Sequence, residues 1–237
     1  MVSPVYLKNT TRLAIVPDSA YGQHGSALSE YAQLIWLRRN LDRILDGHTH
    51  IRVFHYRRFV AQKSRGVGIK STNQPWATTI SEEQIWEFQS DFSRTSPDSE
   101  LLNTKVTFSA GMIGQYAHAH VLEDLLSFSI FLCRSKILSD VEMVDMLRTP
   151  SIIPACNIAV LTVENFKAVY DQIVAAASFL VSGDFVSRTG YQRRNLGFLL
   201  ERLHSYILQT LFDDGKIQGL FGFNYILSES EQVSVTV

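Results

Sequence analysis

The strongest chemical signal in the sequence is a cluster of cationic and hydrogen-bonding side chains that follows an apolar segment. His55, Tyr56, Arg57 and Arg58 come directly after the β-branched and aromatic residues of segment 51–54. Because the guanidinium group of arginine forms two parallel hydrogen bonds with a phosphate, this cluster favours a phosphorylated ligand. Adjacent residues of a strand point to opposite faces, so only one of the two arginines reaches a given phosphate unless the strand ends between them.

The charge distribution around this cluster also indicates an anionic ligand. Positions 48–80 hold no aspartate or glutamate, although the whole chain is nearly neutral, with 22 basic and 23 acidic side chains. Ligands of open α/β sheets bind beyond the carboxyl ends of the strands, which is the position of this cluster, so we expect a diphosphate here. The alternatives are a solvated basic loop, or arginines that only pair with carboxylates such as Glu30 or Glu201.

Two carboxylates are candidates for the base that a group-transfer reaction needs. Asp124 and Glu201 both lie in segments with helical periodicity. Glu201 is followed by Arg202, and a pair of this kind inside an apolar helix often serves structure alone. His55 and His120 are weaker candidates for the same role.

No metal site is predicted. The two cysteines do not form a C-x-x-C motif, and the chain has no Asp-x-Asp. His120 and Asp124 share a helical face, but a third ligand is missing from that face. We therefore expect cationic side chains to neutralise the phosphates; a divalent metal stays open but is not favoured. Trp76, in the basic segment, is the best tryptophan for stacking on a sugar or base.

The elements that must position these residues alternate between strand and helix patterns. This alternation predicts one α/β domain over residues 1–227, with a mixed, mostly parallel central sheet flanked by helices, and a flexible tail at 228–237. Ser139 and Glu142 form a capping box at the start of a short helix. The remaining expectations are strands at 12–16, 51–60, 104–109 and 151–161, a loop at 61–80, and helices at 26–45, 81–91, 115–132, 163–182 and 191–212.

The composition excludes several classes of protein. With 46% hydrophobic residues and a net charge of −1, the chain is globular and no nucleic-acid partner is expected. No stretch reaches the roughly 18 to 20 apolar residues of a membrane span, and the first residues lack the pattern of a secretory signal. We expect a cytoplasmic protein, with peripheral association at the inner face of the membrane left open.

Two long segments resemble one protein family. The segment SEYAQLIWLRRNL, which contains Glu30, Trp36 and Asn40, is followed by FHYRRFV. This arrangement resembles the bacterial domain-of-unknown-function family 4422, in which a helix reading E-L-T-x-x-Y-W-x-W-K-N precedes a strand ending in H-Y-R-R. Residues 194–203, RNLGFLLERL, are similar to the R-x-x-G-F-L-x-E-R-L of that family.

Two shorter matches lie between these segments. The H-x-x-x-D-L helix of the family is matched by Tyr116, His120, Glu123, Asp124 and Leu125, and Asn157 lies where the family has an N-M-F strand. The matches occur in the same order as in the family and extend from about residue 26 to residue 205. The resemblance therefore covers most of the chain.

The resemblance implies a glycosyltransferase of the GT-A fold, associated with capsule, exopolysaccharide or lipopolysaccharide synthesis. It implies a nucleotide-sugar donor and a glycan or lipid-linked glycan acceptor, with no further cofactor. It adds Glu30, Asn157, Arg194 and Arg202 to the expected substrate-binding residues. Two alternatives stay open: a phosphate or sugar-phosphate transferase, and a non-catalytic module that binds an anion or a glycan.

Overall fold

The computed structural model describes residues 24–45, 47–55, 58–62, 64, 68–70, 74, 76–81, 84 and 99–227. Tyr56 and Arg57, the strand expected at 12–16, most of the helix expected at 81–91 and the tail at 228–237 lie outside the described residues. Within the described ranges, every helix is too short or too polar to cross a lipid bilayer.

Helices and strands alternate along the described chain. The helices are α1 (Gly25–Leu28), α2 (Tyr31–Ile44), α3 (Gly111–Ala119), α4 (Leu122–Arg134), α5 (Asp140–Arg148), α6 (Val163–Ala176) and α7 (Asn195–Asp213), with 3₁₀-helices at Ala177–Val181 and Gly190–Arg194. The strands are β1 (His50–Val53), β2 (Arg58–Ala61), β3 (Ile69–Lys70), β4 (Ala77–Ile80), β5 (Glu100–Asn103), β6 (Val106–Thr107), β7 (Ser151–Ile152), β8 (Ala159–Thr162) and β9 (Gly219–Leu227). The capping box of Ser139 and Glu142 is confirmed at the start of α5.

Seven of the described strands form one mixed sheet. Their order is β1-β8-β5-β9-β4-β3, and β2 also pairs with β9. The expectation of a mixed sheet flanked by helices is confirmed. Of the strand pairs formed in this sheet by described residues, two are parallel and four are antiparallel, so the sheet is less parallel than expected.

The long strand β9, which the sequence pattern did not predict, joins most of this sheet. Its first residues pair with β5, from Gly219 to Gly222, and the following residues pair with β2 and β4. Gly222 lies where the partner changes, and a Cβ atom there would lie 2.6 Å from the backbone oxygen of Ala61. A larger residue at this position would push the strands apart, which explains the glycine.

Two helices that the periodicity predicted as continuous are each divided in two. Ser29 has a φ of 55° between α1 and α2, and His120 is extended between α3 and α4. The first division leaves Glu30 at the start of α2. Apolar residues keep a helical spacing across both breaks, so the pattern alone did not reveal them.

The strand expected at 51–60 is also divided. β1 ends at Val53 and β2 begins at Arg58, and His55 pairs with Arg58 through two backbone hydrogen bonds of 3.2 and 3.3 Å. Arg58 therefore begins a new strand.

The main core packs the helices against one face of the sheet. Leu102 and Leu161 point into it, whereas their neighbours Leu101 and Val160 point into a smaller cluster on the opposite face. This alternation is expected for strands with apolar groups on both faces.

Polar side chains at the two ends of β5 hold the neighbouring segments in place. The buried carboxylate of Glu100 accepts hydrogen bonds of 2.9 Å from the backbone of Thr162 and from the side chain of Asn165, at the start of α6. At the other end, the amide of Asn103 donates to the carbonyl oxygen of Ala155 at 2.9 Å. Asn103 thereby positions the turn at 154–157, which contributes residues to the lining of a cavity.

Candidate active site

A cavity of about 430 Å³ lies between one end of the sheet and the N-terminal half of α7. One side, which we call the sheet wall, consists of His55, Arg58, Trp76 and Asn157. The opposite side, the helix wall, carries His120, Tyr191, Arg194, Phe198, Glu201 and Arg202. Ser29 and Glu30, from the break between α1 and α2, complete the part of the lining used below.

This cavity brings together most of the site residues predicted from the sequence. Asp124 does not line it, and Tyr56 and Arg57 lie outside the described residues. The predicted residues that line the cavity are Glu30, His55, Arg58, Asn157, Arg194, Glu201 and Arg202.

Arg58 places a positive charge on the sheet wall. It is partly buried as the first residue of β2 and lines the cavity. Its guanidinium group forms no ion pair or hydrogen bond with any residue that the structure describes. The alternative that this arginine only pairs with Glu30 or Glu201 is therefore not met among the described residues, and the group is placed to bind an anion.

Glu30 is the centre of a charged cluster at one end of the cavity. One carboxylate oxygen lies 3.3 Å from Nε2 of His55, and the other lies 3.2 Å from Nη2 of Arg194. Ser29 donates a hydrogen bond to the same carboxylate and accepts one of 2.6 Å from Arg194. The hydrogen bond from His55 holds the pKa of Glu30 well below its usual range despite burial, with help from Ser29 and Arg194. Glu30 is therefore ionised at neutral pH and joins three segments of the chain.

Glu201 presents a fixed carboxylate to the cavity. Oε1 accepts a hydrogen bond of 3.2 Å from the backbone N–H of Ala155, and Oε2 lies 3.0 Å from Nη1 of Arg202. Arg202 in turn donates to Oε1 of Gln115 at 2.9 Å. The side chain of Arg202 is 6% exposed and that of Glu201 is 29% exposed. Glu201 is thus oriented by its neighbours but accessible to a ligand, as a general base requires.

Asp124 has a different environment. Its side chain is 5% exposed, and it lies 2.8 Å from Nη2 of Arg188 and accepts a hydrogen bond of 3.1 Å from Asn195. Asn195 also donates to the carbonyl oxygen of Val186 at 2.9 Å. These contacts tie the start of α4 to segment 186–195. In this arrangement Asp124 positions the segment that carries Tyr191.

Aromatic rings line the helix wall, and two of them, Tyr191 and Phe198, were not selected as site residues from the sequence. The ring of His120 stacks on that of Phe198 with 4.1 Å between centroids, and Tyr191 lies 5.1 Å from Phe198. Burial, together with the charge of Arg202, lowers the pKa of His120 to about 4, so the ring is neutral at pH 7. A sequence signal exists: positions 191, 194, 198 and 201 recur at the three- and four-residue spacing of one helical face.

Of the two tryptophans in described positions, Trp76 and Trp36, one lines the cavity and one does not. Trp76 lines the cavity, whereas Trp36 lies on α2 outside its lining, with a carbonyl oxygen that accepts a hydrogen bond from Asn40.

Within the described part of the chain, no three His, Cys, Asp or Glu side chains come together as potential metal ligands. Independence from metal stays a prediction.

Comparison with known proteins identifies the fold. No protein-family model and no curated protein matches the chain. The structure is similar to a solved structure described as the bifunctional glycosyltransferase WbbM in its apo state, with a TM-score of 0.68 and 15% sequence identity. The alignment covers 88% of this chain and 38% of that one, so the chain spans well under half of that protein. The chain therefore shares its α/β fold with the aligned part of that structure, and the resemblance to family 4422 stays a hypothesis.

Proposed function

We propose that the chain is a glycosyltransferase that moves a sugar from a nucleotide-sugar donor to a glycan or lipid-linked glycan acceptor. The observation that carries this proposal is the guanidinium group of Arg58, which lines the cavity without an ion-pair partner among the described residues. Arg194 and Arg202 are each bound to a carboxylate there. Among the described lining residues, three arginines face two glutamates, which leaves positive charge for the diphosphate of a donor.

The proposed reaction uses two groups of the cavity. The hydroxyl of the acceptor attacks the anomeric carbon of the donor and gives its proton to Glu201. The bond between the anomeric carbon and the phosphate oxygen breaks, and the electron pair leaves with the nucleoside diphosphate. Arg58 neutralises the negative charge that develops on this leaving group. Ala155 and Arg202 hold Glu201 in place, so the base needs no rearrangement.

The first test measures binding of nucleoside diphosphates by their effect on thermal unfolding, once in EDTA and once with Mn²⁺. We expect at least one nucleoside diphosphate to stabilise the protein in EDTA, by about 2.7 kcal/mol at a concentration 100 times its Kd. Arg58→Ala should remove this stabilisation and Arg58→Lys should keep part of it. Arg134→Ala is the matched control, because the side chain of Arg134 is 70% exposed and lies outside the cavity. An unchanged shift in Arg58→Ala would contradict the assignment.

The second test separates the two candidate bases. Glu201→Gln should retain nucleotide binding and lower sugar transfer by about 10²- to 10⁴-fold, the range that a general base contributes. Asp124→Asn should affect turnover less, because its carboxylate is bound to Arg188 away from the cavity lining. The opposite order would make Asp124 the base.

Two alternatives give different outcomes in these tests. Nucleotide binding without any turnover would indicate a module that only binds anions or glycans. Transfer of a phosphate or sugar phosphate, detected in the products, would indicate the other class of transferase. Participation in bacterial surface-polysaccharide synthesis is part of our proposal and rests on the sequence resemblance.

A further inference from the structure

Three rings on the helix wall have no function in the proposed reaction. They form an aromatic stack, which we define as His120, Tyr191 and Phe198. The planes of His120 and Tyr191 are within 12° of each other, with 6.1 Å between centroids. Phe198 is 8% exposed, but Tyr191 is 65% exposed. The stack thus consists of a buried ring and a partly buried one, with an open ring at the cavity.

The surrounding structure holds the exposed ring in position. Tyr191 lies in the 3₁₀-helix Gly190–Arg194, where the side chain of Gln192 donates a hydrogen bond of 3.1 Å to the carbonyl oxygen of Ala119. The ion pair of Asp124 with Arg188 holds the preceding segment. The segment that carries Tyr191 is therefore held in place, and its ring contacts those of Phe198 and His120, which lowers the entropy lost on binding.

The stack also lies next to the proposed base. Phe198 and Glu201 are three residues apart on α7, so their side chains are neighbours on one face of the helix. The guanidinium carbon of Arg194 lies 5.6 Å from the centre of the Phe198 ring, and the side chain of Arg194 is 44% exposed. A ligand on the stack would therefore meet an apolar surface with hydrogen-bonding groups beside it.

A sugar ring fits this combination. The faces of aromatic rings carry negative partial charge, which attracts the polarised C–H groups on the apolar face of a sugar. The hydroxyl groups at the edge of the sugar need hydrogen-bond partners. Trp76 is available for a nucleobase on the sheet wall, the side that also carries Arg58. The helix wall then remains for the second substrate.

We propose that the aromatic stack binds the sugar ring of the acceptor and directs its reactive hydroxyl towards Glu201. This inference deepens the proposed function and rests on it. Tyr191 is the residue of the stack with the greatest exposed surface, so it should contribute most to the contact.

Saturation-transfer NMR with methyl glycosides of glucose, galactose, mannose and N-acetylglucosamine tests the inference, with and without nucleoside diphosphate. At least one glycoside should bind, and Tyr191→Ala should weaken its binding about tenfold, the effect of losing one aromatic contact. Tyr191→Phe keeps the ring and should restore most of the affinity. Phe223→Ala is the matched control, since Phe223 is 45% exposed and does not line the cavity.

Failure of this inference is distinguishable from failure of the proposed function. Absence of binding by all four glycosides, or equal binding by Tyr191→Ala, would overturn the inference even if nucleoside diphosphates bind. Loss of nucleoside diphosphate binding in Tyr191→Ala, with glycoside binding unchanged, would assign the stack to the nucleobase. If a glycoside binds in a way that depends on Tyr191 but no nucleotide binds, the stack is a sugar-binding site and the proposed glycosyltransferase function is refuted.

Discussion

At the scale of single residues, burial sets the protonation of two histidines. His204 is 1% exposed, and its Nδ1 lies 3.1 Å from the hydroxyl of Tyr31. Nε2 has no hydrogen-bond partner among the described residues. Burial lowers the pKa of His204 to about 3, in the same direction as that of His120. Both rings are neutral at pH 7 because a charge there would lose its hydration.

This difference predicts acid sensitivity. A histidine of the unfolded chain titrates near 6.5, so between pH 6.5 and about 3 the unfolded chain binds a proton that folded His204 does not. As the pH is lowered through this range, the free energy of unfolding should therefore decrease by about 1.4 kcal/mol per pH unit for each such histidine. His204→Gln should make the dependence on pH weaker by the contribution of one proton, which urea unfolding at several pH values measures. Equal slopes in the unmodified protein and in His204→Gln would contradict the prediction.

Residue types predicted part of the site, and tertiary packing determined the rest. The cationic cluster at 55–58 and the carboxylate of Glu201 could be selected from the sequence because charge in an apolar segment is unusual. Tyr191 and Phe198 could not be separated from core residues in this way. Their stacking depends on the break at His120, which follows from backbone angles that the apolar spacing does not encode.

At the scale of elements, β9 shows why the sequence pattern missed a central strand of the sheet. Its residues GLFGFNYIL do not alternate between apolar and polar types, and they include two glycines. This strand has partners on both edges, and its pairing of Gly219 with Glu100 joins residues far apart in the chain. Glycine is favoured in it by close approach of other strands, which a reading of local propensity counts as evidence against a strand.

The close approach at Gly222 gives a prediction about stability. A Cβ atom at Gly222 would lie 2.6 Å from the backbone oxygen of Ala61 and 2.9 Å from Cδ1 of Leu101. Gly222→Ala should therefore lower the free energy of unfolding by about 1–3 kcal/mol, the usual effect of overpacking. Gly25→Ala is the matched control, because no atom lies within 4 Å of the added methyl group. Urea unfolding measures both variants, and similar stability for the two would refute the argument.

At the scale of the whole molecule, the sheet links the two sides of the cavity. β9 pairs with both β5 and β2. β5 is next to β8 and to the turn in which Ala155 donates a hydrogen bond to Glu201, and β2 carries Arg58. The hydrophobic core on the helix side also includes residues of this sheet, such as Leu102 and Leu161. Neither wall of the cavity is therefore expected to unfold without the other.

This linkage predicts one cooperative unfolding transition. Trp36 reports on the helix layer and Trp76 on the sheet, so a Trp86→Phe variant leaves two tryptophans in described positions. In urea, the fluorescence of this variant and its far-ultraviolet circular dichroism should give the same midpoint. A bound nucleoside diphosphate should shift both curves equally. Separate midpoints would mean that the sheet and the helices unfold independently.

The position of β9 in the chain also matters during synthesis on the ribosome. The strands β2, β4 and β5 emerge long before residues 219–227, and each then lacks the neighbour that saturates its backbone hydrogen bonds. Unsaturated strand edges pair readily with other chains. The nascent polypeptide is therefore vulnerable to aggregation until translation reaches residue 227, and its yield in cells should depend on chaperones that cover those edges.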